Sequence, residues 1–169
     1  MIGLAFLLLD LMRRIAAPRV LVLGRVPHTT HYTTLTSHPE AAPVPGLLIC
    51  QVEGALLFAN ALNVQAAILQ RVAAAKPPPM AVVVDLAATP ALDFTAVEML
   101  DELTGQLAER GICLELVALT DSEWDALVRR GLSARHDNLS SHHTLQEAVD
   151  WLARHPAPTA GRPAVLGLE

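Results

Sequence analysis

Aromatic residues are nearly missing from this chain: two Trp, one Tyr and three Phe make up 4% of its 169 residues. Bases therefore have few side chains to stack on. The formal net charge of -5, with no cluster of Lys or Arg, removes the counterion release on which nucleic-acid affinity rests. Nucleic acid is excluded as a partner. Cysteine is equally scarce. Cys50 and Cys113 each lie inside an apolar run, Leu47-Leu48-Ile49-Cys50 and Ile112-Cys113-Leu114. They read as small buried hydrophobes in a reducing compartment, not as a disulfide framework.

Glycine-rich phosphate loops are missing too, because Gly24, Gly46 and Gly54 stand singly and match neither GxGxxG nor GxxxxGK. No nucleophile elbow occurs. The seven histidines include His28 and His31 in a proline-rich stretch and the adjacent His142 and His143, spacings that match no zinc pattern. None of these patterns supplies a nucleophile, a zinc site or a phosphate loop.

What is abundant is aliphatic. Hydrophobic residues reach 52%, so a core of Leu, Val, Ile and Ala in α/β layers is expected, in one domain with tails. At the N-terminus Ile2 to Leu9 is apolar apart from Gly3, and Arg13-Arg14 follow. The run is shorter than the roughly 20 residues that cross a bilayer. Its charges come after the apolar stretch, the reverse of a secretory signal. Two readings stay open on these residues alone: a terminal amphipathic helix, or the end of a membrane helix emerging on the positive, cytoplasmic side.

Pro18 closes that segment, and Arg19 to Arg25 reads as a strand. His28 to Pro45 is punctuated by Pro39, Pro43 and Pro45 and reads as an irregular excursion. Gly46–Val52 and Ala55–Ala59 read as two further strands. A helix over 61–75 follows, with Asn60 as N-cap and Leu62, Gln65, Leu69 and Val72 along its inner face. Met80–Leu86, apolar up to Asp85, is the pattern of a central strand covered on both faces. A helix over 96–110, a strand over 112–119, a short helix over 122–130 ended by Gly131 and a last helix over 145–154 complete the alternation, which implies parallel crossover units. Thr95 with Glu98, Thr120 with Glu123 and Thr144 with Glu147 have capping-box spacing. Residues 156–169, rich in Pro, Gly and Ala, read as a loose tail.

Three carboxylates, Glu53, Asp85 and Asp93, fall near strand ends. Asp85 and Asp93 could form an acid–base pair or hold Mg²⁺; the plainer reading is that loops after parallel strands collect Asp and Asn. Asp93-Phe94-Thr95-Ala96 leads into a helix start, where a phosphoryl group on a hydroxyl would be favoured.

Pro18-Arg19-Val20, Leu23-Gly24-Arg25-Val26-Pro27, His38-Pro39-Glu40-Ala41, Val44-Pro45-Gly46-Leu47-Leu48-Ile49 and Leu57-Phe58-Ala59-Asn60-Ala61 together closely resemble the linker and STAS domain of sulfate-permease (SulP) family anion transporters. Val82-Val83-Val84-Asp85-Leu86 and Leu92-Asp93-Phe94-Thr95 look like that domain's core strand and signature loop. The resemblance implies an α/β STAS fold, a mixed and mostly parallel sheet of four to six strands with about four helices mainly on one face. It implies a membrane-helix remnant over 1–17, the domain over 18–154 and a tail over 155–169. It also implies a non-catalytic regulatory domain on the cytoplasmic face of the membrane. The implied partners are the transporter's own membrane domain, a second STAS copy or a cytosolic regulator. Weak nucleotide or anion binding at the loops holding Asn60, Asp85 and Asp93 is a third option, because α/β sheets bind ligands at the loops after their strands. Soluble STAS proteins, the anti-sigma-factor antagonists, carry Asp-Ser-Ser-Gly at the signature loop, and their phosphorylated serine matches Thr95. The alternative is thus a free-standing partner-switching protein phosphorylated at Thr95, although Phe94 and Ala96 depart from that motif.

Overall fold

The computed structural model describes residues 19–155. The expected membrane-helix remnant over 1–17 and the tail from residue 156 lie outside the described residues. Six strands form one sheet in the order β2-β1-β3-β4-β5-β6: β1 (Arg19–Arg25), β2 (Tyr32–Thr34), β3 (Leu47–Glu53), β4 (Ala81–Asp85), β5 (Cys113–Val117) and β6 (Leu139–His142). β1 is antiparallel to both β2 and β3, and the pairs from β3 to β6 are parallel. Five helical segments accompany them: α1 (Ala61–Ala74), α2 (Phe94–Ala108), α3 (Asp121–Arg129), the single turn α4 (Leu132–Arg135) and α5 (Leu145–Arg154).

Each parallel step moves the same way across the sheet, so crossovers of one hand stack their helices on one face. Alternation along the strands then builds two cores. Leu48, Cys50, Val52, Val82, Val84 and Leu114 pack with α1 to α4, while Ile49, Ala81, Val83, Cys113 and Val117 pack with Ala148, Val149 and Leu152 of α5. All five residues of β4 and of β5 are buried, as strands covered on both faces must be. The fold is the expected mixed, mostly parallel sheet with helices mainly on one face. α5 follows the last strand, needs no crossover, and covers the other face.

Several local expectations are corrected. Ala55–Ala59 is not a strand. It contributes one parallel bridge, Leu56 to Leu92, because Asn60 folds the segment into a turn: its Oδ1 accepts from the Leu57 N–H at 2.9 Å and its Nδ2 donates to the Ala55 carbonyl at 2.9 Å. The inner face of α1 is Ala61, Val64, Gln65, Ile68 and Val72, and Leu62 points outward. The excursion from His28 to Pro45 contains β2, and β6 and α4 were not expected. The capping boxes of Thr120 with Glu123 and of Thr144 with Glu147 are both formed. The one expected at Thr95 and Glu98 is not, because α2 begins earlier and is capped by Asp93.

Candidate functional site

In an α/β sheet the loops after the parallel strands gather at one edge, where ligand and partner sites usually sit. Here that edge is made by the 53–60 segment after β3 and the 86–94 segment after β4. The two are stitched by the Gly54 N–H to the Ala88 carbonyl (3.1 Å), the Leu56 N–H to the Ala91 carbonyl (3.0 Å) and the Asp93 N–H to the Leu56 carbonyl (3.2 Å). Thr89 adds its hydroxyl to the Val52 carbonyl at 3.0 Å. Gly54 turns the chain off β3 with φ of 102°, a conformation in which a Cβ would be strained.

Asp93 is the junction. Its Oδ1 accepts from the Ala96 N–H at 2.8 Å, capping α2, and its Oδ2 accepts from the Phe58 N–H at 2.7 Å, pinning the turn that opens α1. One carboxylate thus caps α2 and ties down the turn ahead of α1, and the positive end of α2 favours its charge. Asn60 is 1% exposed and both ends of its amide are spent on the same turn. Asp85 is 4% exposed; its Oδ2 accepts from Gln51 Nε2 at 3.1 Å and its Oδ1 from the Ala87 N–H at 2.9 Å. Glu53 stands opposite Arg19 in the β1–β3 register.

The structure therefore brings Asn60 and Asp93 into one network and gives Asp85 a separate place on the same edge. Each carboxylate already holds backbone or amide donors, the use to which polar side chains at buried loop ends are put. Thr95 lies half-buried in the first turn of α2 with no capping duty. Beside it Phe94 is exposed, and the Arg130 guanidinium sits 4.3 Å from its ring centroid. Sequence reasoning did not single out this cation–π pair, nor could spacing reveal it, since the partners are joined only by the way α3 turns back.

The histidines are dispersed. His142 Nε2 donates at 2.8 Å to Glu115, a carboxylate only 3% exposed under α5. His136 meets Asp101 at 2.6 Å. Among the described residues no three His, Cys, Asp or Glu side chains converge as a metal site, and no helix is long and apolar enough to cross a membrane. Cys50 and Cys113 are buried and are not joined in a disulfide. Burial pushes the Cys50 thiol up to about 12, against the smaller opposing pull of Arg71.

Residues 38–148 match the family model of the STAS domain. By sequence the chain is 31% identical over 146 residues to low affinity sulfate transporter 3 of Stylosanthes hamata, covering 79% of this chain and 22% of that protein. It is 32% identical over 155 residues to a probable sulfate transporter of Mycobacterium tuberculosis, covering 90% and 27%. The chain thus spans about a quarter of the length of these relatives. By structure it superposes on the murine anion transporter Slc26a9 in the inward-facing state with a TM-score of 0.80 at 16% identity, covering 91% of this chain and 25% of that one. Against the SulP transporter STAS domain of Vibrio cholerae the TM-score is 0.53 at 17% identity, covering 72% and 94%. A proposed anti-sigma factor antagonist of Thermotoga maritima gives 0.56 at 15%, covering 66% and 91%. With a six-stranded mixed sheet, a signature loop anchored on Asp93 and a family match over most of its length, the chain belongs to the STAS domain family.

Proposed function

We propose that this chain is the cytoplasmic, non-catalytic regulatory domain of a sulfate-permease-type secondary anion transporter, held at the inner face of the membrane and supporting regulation, assembly or trafficking of the transporter. The observation that carries the reading is the reach of the sequence match: similarity to sulfate transporters extends over 79% to 90% of the chain, well beyond the residues matched by the general domain model. Asp85 and Asp93 spend their carboxylates on holding the loop edge together, which supports a part played through surfaces. The domain boundaries we propose are 18–154, with 1–17 as the end of the preceding membrane helix.

An antibody raised against the purified domain tests this on fractionated source cells. A membrane-bound band several times larger than 18.1 kDa is expected; a soluble band of that mass would overturn the reading. The second reading, a switch phosphorylated at Thr95, is favoured by one observation: Asp93 caps α2, so the Thr95 hydroxyl is released from that duty. Incubation with cognate kinase and ATP should then add a phosphate that is lost in Thr95→Ala, and an unchanged mass would end it.

A further inference from the structure

The two phenylalanines among the described residues are both on the surface, and both at the same edge. Phe58 is 74% exposed, Phe94 55%, and Leu62, one helical turn beyond Phe58, 66%. The segments that carry them meet at this edge, because the Phe58 N–H donates to the carboxylate of Asp93, the residue before Phe94. In a chain with three Phe in all, a cluster of exposed aromatic and aliphatic side chains marks a contact surface, since single exposed apolar residues need no explanation but grouped ones do.

Its place in the fold says what lies opposite. Arg19, the first residue of β1, pairs with Glu53 at the end of β3, so the upstream chain joins the domain at this edge. Arg19 is five Cα steps from Arg14, a reach of at most about 18 Å even when fully extended. With Arg13-Arg14 marking the cytoplasmic boundary of the membrane helix, the edge is held too close to the membrane domain to stand clear of it. Charge selects protein over lipid. An anionic leaflet attracts polybasic segments, whereas this chain carries a net charge of -5 and the edge holds Glu53, Asp93, Glu98 and Asp121 against Arg19 and Arg130. Cytoplasmic loops of membrane domains, by contrast, are enriched in Lys and Arg.

We infer that Phe58, Leu62 and Phe94 form the surface on which this domain docks against the basic cytoplasmic loops of its transporter's membrane domain. The inference rests on the transporter reading above. It is tested in the full-length transporter in native membranes, with photo-reactive benzoylphenylalanine placed in turn at the positions of Phe58, Phe94 and Arg110, the last being exposed just beyond the far end of α2. After irradiation and proteolysis, mass spectrometry should find adducts of positions 58 and 94 with peptides from cytoplasmic loops of the membrane domain, and several-fold fewer from position 110. Adducts to lipid alone, adducts to the same edge of a second copy, equal yields at all three positions, or none at 58 and 94 would each overturn the docking surface while leaving the transporter reading intact. A gene product that carries no membrane segments would overturn both.

Discussion

Replacing Asp93 by Ala removes two hydrogen bonds that link different parts of the loop edge. Loss of the cap on α2 costs about 1 kcal/mol. The bond from the Phe58 N–H has a charged acceptor, worth roughly 1.5–3 kcal/mol when the donor is left dry. Phe58 is exposed, so its N–H turns to water and the second loss shrinks to about 1 kcal/mol. Asp93→Ala is therefore expected to destabilise the domain by about 2 kcal/mol. Asp93→Asn keeps one acceptor oxygen but presents an NH₂ group to the other donor, and should lose about half as much. Thr95→Ala removes no cap and should cost less than about 0.5 kcal/mol. Urea unfolding followed by circular dichroism reads the order: at a slope of about 2 kcal/mol per molar, Asp93→Ala moves the midpoint down by about 1 M. A loss at Thr95→Ala equal to that at Asp93→Ala would refute the assignment of the cap and with it the account of how the two loops are joined.

Cys50 titrates from 9.0 in a free chain to about 12 in the fold. The folded domain therefore holds its proton longer than the unfolded chain. The stability this gives is fully present below pH 9 and is lost as pH rises towards 12, with a slope of up to about 1.4 kcal/mol per unit. Cys50→Ala should flatten that slope relative to the parent, while the raised phenol of Tyr32 is common to both; parallel alkaline unfolding curves would refute it. His142→Leu leaves the Glu115 carboxylate buried without its partner and should cost about 3 kcal/mol, whereas the double change Glu115→Leu with His142→Leu should recover most of the loss. A double variant no more stable than the single one, by the same urea assay, would count against a buried ionic contact. Gly24→Ala would set a Cβ 2.4 Å from Leu35 Cδ2 and 2.7 Å from the Ala42 carbonyl oxygen. The side chain can move but the carbonyl is held by the bridge from Arg25 to Ala42, so a loss of about 1–3 kcal/mol and faster protease cleavage within 26–45 are expected.

The parts of the fold that were legible in the sequence are those whose information is local and repeated. β4 is announced by an unbroken apolar run, and α5 by a capping box and an apolar face. β6 is Leu-Ser-Ser-His, which no propensity favours. It exists because β5 offers an open edge, with Leu139 paired to Leu114 and the Asn138 amide donating to the Ile112 carbonyl at 3.0 Å. β2 hides for the same reason: three residues among prolines become a strand by pairing with Leu23 to Arg25, and Tyr32 is then tied to α5 through Gln146 at 3.0 Å. At the loop edge Asp93 and Thr95 both lie within reach of a helix start, and spacing alone favoured the hydroxyl. Asp93 takes the cap because the Leu56–Leu92 bridge lays the 55–58 segment against it, so the same carboxylate can serve a second amide that Thr95 could not reach. That choice is made by residues 35 positions apart, and it also brings the segments that carry the exposed Phe58 and Phe94 to one edge. The feature least visible in the sequence, a non-local bond between two loops, is the one that shapes the surface proposed for docking.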